Sequence, residues 1–192
     1  TQSGTYTLSV GDVSMILSLE MVDQWEKESN EKVVISARNL DGSDVEASGA
    51  YHVYSLLEND SIHQLVAEGE FVTGDQPLLK EKLSALPSGK YRVKLTSVDD
   101  RGNPVEAEKE AILFSYSDKR PPVKTNAWFL EKNAQFGVNQ PAEVILGATS
   151  RLHVLYELWQ GNDLLERKWV ELNNENRLFS VPYKAEYGNG VT

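Results

Sequence analysis

Acidic residues are the first candidates for chemistry in this sequence. The stretch Asp99-Asp100-Arg101-Gly102-Asn103 begins with two adjacent carboxylates, and three more follow at every second position, at Glu106, Glu108 and Glu110. Carboxylates in such groups serve as calcium ligands or as the acid and base of glycoside hydrolysis. Calcium needs about six converging oxygens, and this loop offers too few in order, with Arg101 among them. The alternating glutamates are most simply the wet face of a β-strand, and we favour that interpretation.

Histidine and cysteine patterns offer no stronger site. The three histidines, His52, His63 and His153, each lie in or beside a predicted strand, and no two have the spacing of metal ligands. The sequence has no cysteine, which excludes a thiol nucleophile, a zinc–thiolate cluster and an iron–sulfur site within it. It also has no nucleophile elbow, dinucleotide fingerprint or phosphate-binding loop. We therefore expect no catalytic, cofactor-binding or metal-binding residues, and no enzymatic activity.

Aromatic residues are the remaining candidates for a binding site. Four of them lie on neighbouring predicted strands and could form a platform that stacks against a sugar: Tyr156, Trp159, Trp169 and Phe179. Large aromatic side chains are ordinarily core residues, since each buries about 150–250 Å². Trp169 has the opposite parity to Val170 and Leu172, so one of these sets must face outward. An exposed Trp169 would indicate a protein–protein contact. Core packing, protein contact and carbohydrate binding all stay open at this point.

Composition sets limits on the class of protein. The 192 residues are 40% hydrophobic and 25% charged, which is ordinary for a globular protein. The net charge of −10 argues against nucleic acid as a partner, because nucleic acids select basic surfaces. Up to Arg120 there are 12 basic and 21 acidic residues, and beyond it 7 and 8. No run reaches the roughly 20 apolar residues that cross a bilayer, so we expect no membrane insertion within this sequence.

The elements that hold the acidic residues are predicted to be β-strands. Pro87 and Gly89 supply a turn. Behind this turn, three apolar residues alternate with three basic ones over the range Lys90-Tyr91-Arg92-Val93-Lys94-Leu95. This period of two predicts a strand with one buried face. Residues 99–103 then form a hairpin, and 105–116 the returning strand.

Further strands are predicted at intervals near ten residues in the first part of the chain. They cover residues 5–20 (as one or two strands), 32–40, 49–57 and 64–72. Residues 21–30 are predicted to be a polar connection. The leucines of 78–86 suit a short helix as well as an irregular strand, and we favour a strand here. This spacing is typical of a β-sandwich.

A linker is predicted at Ser117 to Val123, where Pro121 and Pro122 cannot both donate to a strand ladder. Further strands are predicted at 128–130, 142–148, 152–159, 164–172 and 178–183, with turns at 160–163, 173–176 and 187–190. Val191-Thr192 resembles the start of another strand. The predicted fold is all-β, with two consecutive fibronectin- or immunoglobulin-like antiparallel sandwich domains, 1–120 and 121–192. We expect the second to be incomplete at its C-terminal end.

Several of these segments resemble macroglobulin domains of bacterial α2-macroglobulin-like proteins, especially those of Bacteroidetes, in the part preceding the bait region. The second part carries most of the resemblance, in Trp128-Phe129-Leu130, residues 142–148, 155–158, 167–172, 179–183 and 187–192. Residues 86–91 and 39–42 fit the preceding macroglobulin domain. The resemblance rests on strand patterns and carries over no catalytic residue.

The resemblance implies a secreted protease trap, in which sandwich modules form the scaffold around a bait segment that the protease cuts. Many members also carry a Cys-x-Glu-Gln thioester, which this cysteine-free sequence lacks. The implied location is the periplasm or cell surface, with a possible lipid anchor upstream. Implied partners are neighbouring domains of the parent chain and, indirectly, proteases. The alternative is a carbohydrate-binding or adhesive module of a secreted surface protein.

Overall fold

The computed structural model describes residues 13–135, 137–138, 140–188 and 190–192. These residues are mostly β-strand, and nearly all strand pairs are antiparallel, which confirms the predicted all-β sandwich class. The chain divides into two compact units between Phe114 and Ser115. The assignment of domains 1–120 and 121–192 stays a prediction. None of the helices in the described ranges is long and apolar enough to cross a membrane.

The first unit is built from nine short or medium strands and one helix in its described part. They are β1 (Met15–Glu20), β2 (Gln24–Glu26), β3 (Val34–Asn39), β4 (Asp44–Val45), β5 (Ser48–Leu56), β6 (Ile62–Val72), β7 (Gly74–Asp75), α1 (Pro77–Ala85), β8 (Gly89–Val98) and β9 (Pro104–Phe114). One sheet has the order β1-β3-β4, with β7 also paired to β3, and the other has the order β2-β9-β8-β5-β6. Only one of these pairs, β2 with β9, is parallel.

The core of the first unit lies between its two sheets. Leu17 and Ile35 face it from the first sheet, and Val53, Leu95 and Leu113 from the second, each no more than 5% exposed. Their alternation with more exposed neighbours is the pattern of strands buried on one face. The sandwich therefore follows from the period-two sequence pattern.

The predicted hairpin at the end of this unit is confirmed. β8 and β9 pair antiparallel around residues 99–103, and Tyr91 is buried together with Val93. The Tyr91 hydroxyl donates to the carbonyl of Pro87 at 2.9 Å. This bond ties the start of the strand to the turn before it, as a tyrosine corner does in other sandwiches.

The strand predicted at 78–86 is wrong, because this segment is the helix α1. Pro77 stands in the first turn, where its fixed φ suits a helix and its missing N–H costs nothing. Leu79 and Leu83 are four residues apart and both fully buried, while Leu78 is exposed. The helix thus presents one leucine pair to the core and turns the rest of its surface to solvent.

The polar connection predicted at 21–30 is also wrong in part. Trp25 is completely buried and lies in the short strand β2, parallel to β9 and opposite Leu113. Burying one tryptophan removes about 150–250 Å² from water, which is worth several kcal/mol at about 25 cal/mol per Å². That gain outweighs the preference of the polar neighbours for a loop.

The second unit is organised around one long hairpin. Its elements are β10 (Trp128–Asn133), β11 (Ala142–Gln160), β12 (Asp163–Val181) and a 3-10 helix (Ala185–Tyr187), in the sheet order β10-β11-β12. The predicted turn at 160–163 is confirmed, with Gly161 at φ +58°. The predicted turn at 173–176 is wrong, because β12 continues through it with Asn174 at φ +52°. The pairing with β11 only shifts there, between Ala148 and Arg151, so the asparagines form an irregularity rather than a turn.

The irregularity lets the hairpin fold back on itself. The irregularity divides the hairpin into a first half beside β10, which holds Phe179, and a second half that ends at the 160–163 turn, which holds Tyr156. The rings of these two residues stack with centroids 5.4 Å apart. Ala148, Val170 and Leu172 form a buried cluster beneath them. The two halves therefore pack face to face around a small core.

Two predicted segments fall partly outside the described residues. These are the first part of the strand predicted at 5–20, up to Asp12, and position 189 in the turn predicted at 187–190. Thr192, predicted to start a strand, exchanges two backbone hydrogen bonds with Trp159, of 2.6 and 2.8 Å. The expectation that the second domain is incomplete stays a prediction.

Two substitutions on β8 test the assignment of its faces. Leu95→Ala removes a fully buried side chain and should lower the free energy of unfolding by about 2–5 kcal/mol. Val98→Ala, on the same strand but 61% exposed, should change it by no more than about 0.5 kcal/mol. Urea denaturation followed by circular dichroism measures both. Equal losses would contradict the burial assigned to this strand.

Candidate functional site

Asp99, the first candidate carboxylate, is a structural anchor. It is buried and accepts hydrogen bonds from the backbone N–H groups of Ser14 at 2.9 Å, Arg101 at 3.0 Å and Asn103 at 2.8 Å. The Ser14 hydroxyl and the Asn103 amide donate to its second oxygen, each at 3.2 Å. These donors, the Ser14 backbone N–H foremost, hold the pKa of Asp99 well below its usual range. The carboxylate therefore fixes the 99–103 hairpin against the segment that precedes β1.

The rest of this loop is shaped by backbone geometry. The N–H of Gly102 donates to the carbonyl of Asp99 at 3.0 Å, and Gly102 adopts φ +80°, which favours glycine. Asp100 accepts a hydrogen bond from the Ser14 hydroxyl. In the described part of the chain, no group of three or more acidic, histidine or cysteine residues is placed to hold a metal ion. Both carboxylate oxygens of Asp99 and one of Asp100 thus accept hydrogen bonds within the protein.

The glutamates of β9 form a charged ladder with the basic residues of β8: Lys90, Arg92, Lys94, Glu106, Glu108 and Glu110. Arg92 Nη2 lies 2.5 Å from Glu110 Oε1, and Lys90 Nζ lies 2.7 Å from Glu110 Oε2. Lys94 Nζ lies 2.8 Å from Glu106 Oε2. Hydrogen bonds from Lys90 and Arg92 lower the pKa of Glu110. The interpretation of these glutamates as the wet face of a strand is confirmed.

The three histidines lie on three different strands, His52 on β5, His63 on β6 and His153 on β11. His52 Nε2 is 3.9 Å from a carboxylate oxygen of Glu68, and His153 Nε2 is 3.8 Å from one of Glu171. Each of these two contacts is a single cross-strand pair. The fold does not bring the histidines together.

The four aromatic candidates do not form one platform. Tyr156 and Phe179 stack on each other against the inner cluster of the hairpin. Trp169 is 71% exposed on the other face, whereas Val170 and Leu172 are buried. Trp159 is half-buried, and its indole N–H donates to Glu157 at 3.1 Å. The alternation of β12 therefore resolves the parity question with Trp169 on the outside.

Trp169 stands in a defined surface that we call the Trp169 face: Leu155, Trp169 and the ion pairs Glu157–Arg167 and Arg151–Glu171. Leu155 lies directly opposite Trp169 in the β11–β12 pairing and is 41% exposed. The two ion pairs flank this apolar pair, with N–O distances of 2.7 and 2.8 Å. An exposed tryptophan amid mutually neutralised charges has the composition of a protein-contact hot spot. Sequence reasoning missed Leu155, because its place opposite Trp169 depends on the strand register.

A cleft of about 570 Å³ runs beside this face, lined by Tyr156, Trp169, Phe179 and charged residues. Among the charged residues, Lys168 places its ammonium group 4.6 Å from the centre of the Tyr156 ring. Glu166 in turn accepts a hydrogen bond from Lys168 at 2.7 Å. The cleft therefore combines aromatic surface with charges that are already paired.

A larger groove of about 890 Å³ lies in the first unit between α1 and the ends of β5, β6 and β8. Its rim carries the exposed side chains of Val72, Leu78 and Val98. Gln76, a buried polar residue in its wall, donates its amide to the carbonyls of Val72 and Gly74. The rim of this groove is apolar, and the lining residues named here do not direct a set of polar groups toward one point.

Comparison with known proteins adds no family to these observations. No protein-family model matches the chain, and no curated protein matches it.

The low pKa of Asp99 predicts a pH-dependent contribution to stability. Because the folded-state pKa is depressed, this contribution is present above the unfolded pKa of about 4 and is lost as the pH falls toward the folded value. Asp99→Asn should therefore flatten the decline of the urea midpoint below about pH 4, as well as lower stability at pH 7. Some decline should persist, because the pKa of Glu110 is also lowered. Asp163→Asn, in the other hairpin turn, is the control, and identical pH profiles for both variants would refute the anchor role.

A second pair of variants tests the orientation of β12. Leu172→Ala removes a fully buried side chain and should cost about 2–5 kcal/mol of unfolding free energy. Trp169→Ala, three residues earlier on the outer face, should cost no more than about 0.5 kcal/mol. Chemical denaturation gives both values. A large loss for Trp169→Ala would show that the side chain packs into the unit instead of facing solvent.

Proposed function

We propose that this chain is a non-catalytic structural part of a bacterial α2-macroglobulin-like protease inhibitor. The observation that carries the proposal is that the candidate carboxylates make structural contacts, whereas the candidate tryptophan is exposed. Asp99 is held by internal hydrogen bonds, and the glutamates of β9 pair with the cations of β8, while Trp169 is left exposed. A scaffold module needs a stable sandwich and a surface for adjoining domains, and these features supply both.

The strand patterns that resemble macroglobulin domains also support the proposal. Five of the six segments in the second part fall on β10, β11 and β12, the three strands of its sheet, with 179–183 extending just past β12. The sixth, 187–192, follows the end of β12. Residues 86–91 fall on the turn and strand that the Tyr91–Pro87 bond joins. The resemblance therefore follows the elements that build each unit.

The proposal also assigns location and partners. The inhibitor would act in the periplasm or at the cell surface, where its targets are proteases. This chain has no cysteine, so any thioester would belong to another part of the protein. Its own partners would be neighbouring domains of the same protein, and proteases would be reached indirectly.

One observation favours a second function, a carbohydrate-binding or adhesive module. Trp169 is 71% exposed, and exposed aromatic rings stack on sugars. Its neighbours weaken this alternative, because Tyr156 and Phe179 stack on each other. The cleft that they share with Trp169 is also lined by charges that are already paired. The half-buried Trp159 is separated from Trp169 by the Glu157–Arg167 ion pair. A protein contact suits this mixed surface better than a flat sugar platform.

Protease challenge of the full-length protein that carries this chain tests the proposal. We expect several unrelated proteases to cut it in one region downstream of Thr192. Native gels should then show a faster, more compact species that retains the protease, and mass spectrometry should locate the cut. Scattered cleavage without compaction would refute protease trapping.

Two variants of the same protein separate the two functions. Trp169→Ala should impair compaction or lower the melting temperature of the full-length protein, because it removes a contact with a neighbouring domain. Phe129→Ala, at an exposed aromatic on β10, is the matched control and should behave as wild type. Binding to a glycan array that Trp169→Ala abolishes would favour the carbohydrate-binding module instead.

A further inference from the structure

The edge of β11 that faces away from β12 is covered at both ends and open in the middle. At one end, Gly147 pairs with Trp128 of β10, and the N–H of Thr149 donates to Thr125 at 3.0 Å. At the other end, Trp159 and Thr192 donate to each other's carbonyls at 2.6 and 2.8 Å. Between these contacts, Arg151 to Glu157 have β12 as their only strand neighbour among the residues that the structure describes.

The bonds to Thr192 fix which backbone groups point into this gap. In an antiparallel strand, residues two apart direct their N–H and C=O groups to the same side. Trp159 directs both groups to Thr192, away from β12. Glu157, Leu155, His153 and Arg151 therefore direct theirs to the open edge as well. Thr149, which donates to Thr125 on this side, agrees with the same alternation.

The side chains along the gap are suited to a further strand. Leu152, Val154 and Tyr156 face the buried cluster of Ala148, Val170 and Leu172 but are only half-buried themselves. A strand added at this edge would lie beside β11, and its own apolar side chains would cover more of the surface of these three residues. Open edges with apolar neighbours are the sites at which proteins add strands from other segments.

We propose that the open edge of β11, from Arg151 to Glu157, accepts an additional antiparallel strand, supplied by the polypeptide that follows Thr192 in the protein carrying this chain. The reciprocal Thr192–Trp159 pair sets both the direction and the register of that strand. About eight residues reach from Trp159 to Arg151 at one residue per pair. Every second one, beginning with the second, bonds to Glu157, Leu155, His153 and Arg151 in turn.

The register also specifies the chemistry of the added strand. Its odd positions, counted from the first residue after Thr192, share a face with Leu158, Tyr156, Val154 and Leu152 and should be apolar. Its even positions share the outer face with Leu155 and Glu157 and should be polar or aromatic, adjoining the Trp169 face. The inference needs a chain that continues beyond Thr192, but it does not depend on protease trapping.

Amide hydrogen exchange of the 192-residue protein gives the baseline for the test. The N–H groups of Arg151, His153, Leu155 and Glu157 should exchange at least about tenfold faster than those of Leu152, Val154 and Tyr156, which bond to β12. Appending a designed strand of eight residues, alternating valine and threonine, should slow the first set by at least about tenfold and leave the second set unchanged.

The matched control carries proline at the fourth and sixth appended positions, where the strand must donate to β11. It should return the exchange of Leu155 and His153 to the rates of the 192-residue protein. Equal protection by both appended segments, or protection by neither, would overturn the proposal. The amide exchange rates of β10 and of the β11 residues that pair with it should be the same in all three proteins. Equal rates there would show that the unit stays folded.

Discussion

The alternation of side chains across a strand is the constraint on which both units depend. In β8 it places Tyr91, Val93 and Leu95 in the core and leaves Lys90, Arg92 and Lys94 outside. In β12 it buries Val170 and Leu172 and thereby forces Trp169 outward. Since a shift by one residue would exchange the two faces, the register of each strand decides which residues are structural and which can meet a partner.

Most of the polar residues that could do chemistry are used to hold this register. Asp99 gathers donors from Ser14, Arg101 and Asn103, so that the hairpin and the segment before β1 share one anchor. The charged ladder on β8 and β9 pairs opposite charges across the strands, in a region where solvent limits what each pair contributes. The lowered pKa of Asp99 and Glu110 has the same origin, since donors favour the ionised form.

The sequence pattern predicts strands well where a single strand pair determines the structure, as between Lys90 and Phe114. It fails where a distant contact decides. The leucine spacing does not distinguish α1 from a strand, because Leu79 and Leu83 share a face in either. Pro77 in the first turn and the core that the leucines meet decide for the helix. Trp25 sits among polar residues, and only its pairing with β9 reveals the strand. The asparagines at 173–176 have turn chemistry, yet the register shift between β11 and β12 absorbs them. The alternation of β12 alone singles out Trp169, whereas Leu155 and the ion pairs around it become evident only from the strand register.

The features that can engage a partner lie in the part of the long hairpin between the register shift and the turn at 160–163. Trp169 faces outward there on β12, and the open edge of β11 is the one that faces away from β12. Backbone pairing at that edge and contact with the tryptophan are therefore two separate means of binding. Without a partner, this part of the hairpin has two unfavourable features. A wet tryptophan and half-buried Leu152, Val154 and Tyr156 leave apolar surface in water, and unpaired backbone groups leave an edge exposed to unwanted pairing. A strand in the register set by Thr192 would pair this backbone edge and cover more of Leu152, Val154 and Tyr156, while Trp169, on the other side of β11, stays available for a separate contact. We therefore regard this part of the hairpin as suited to contact rather than to chemistry.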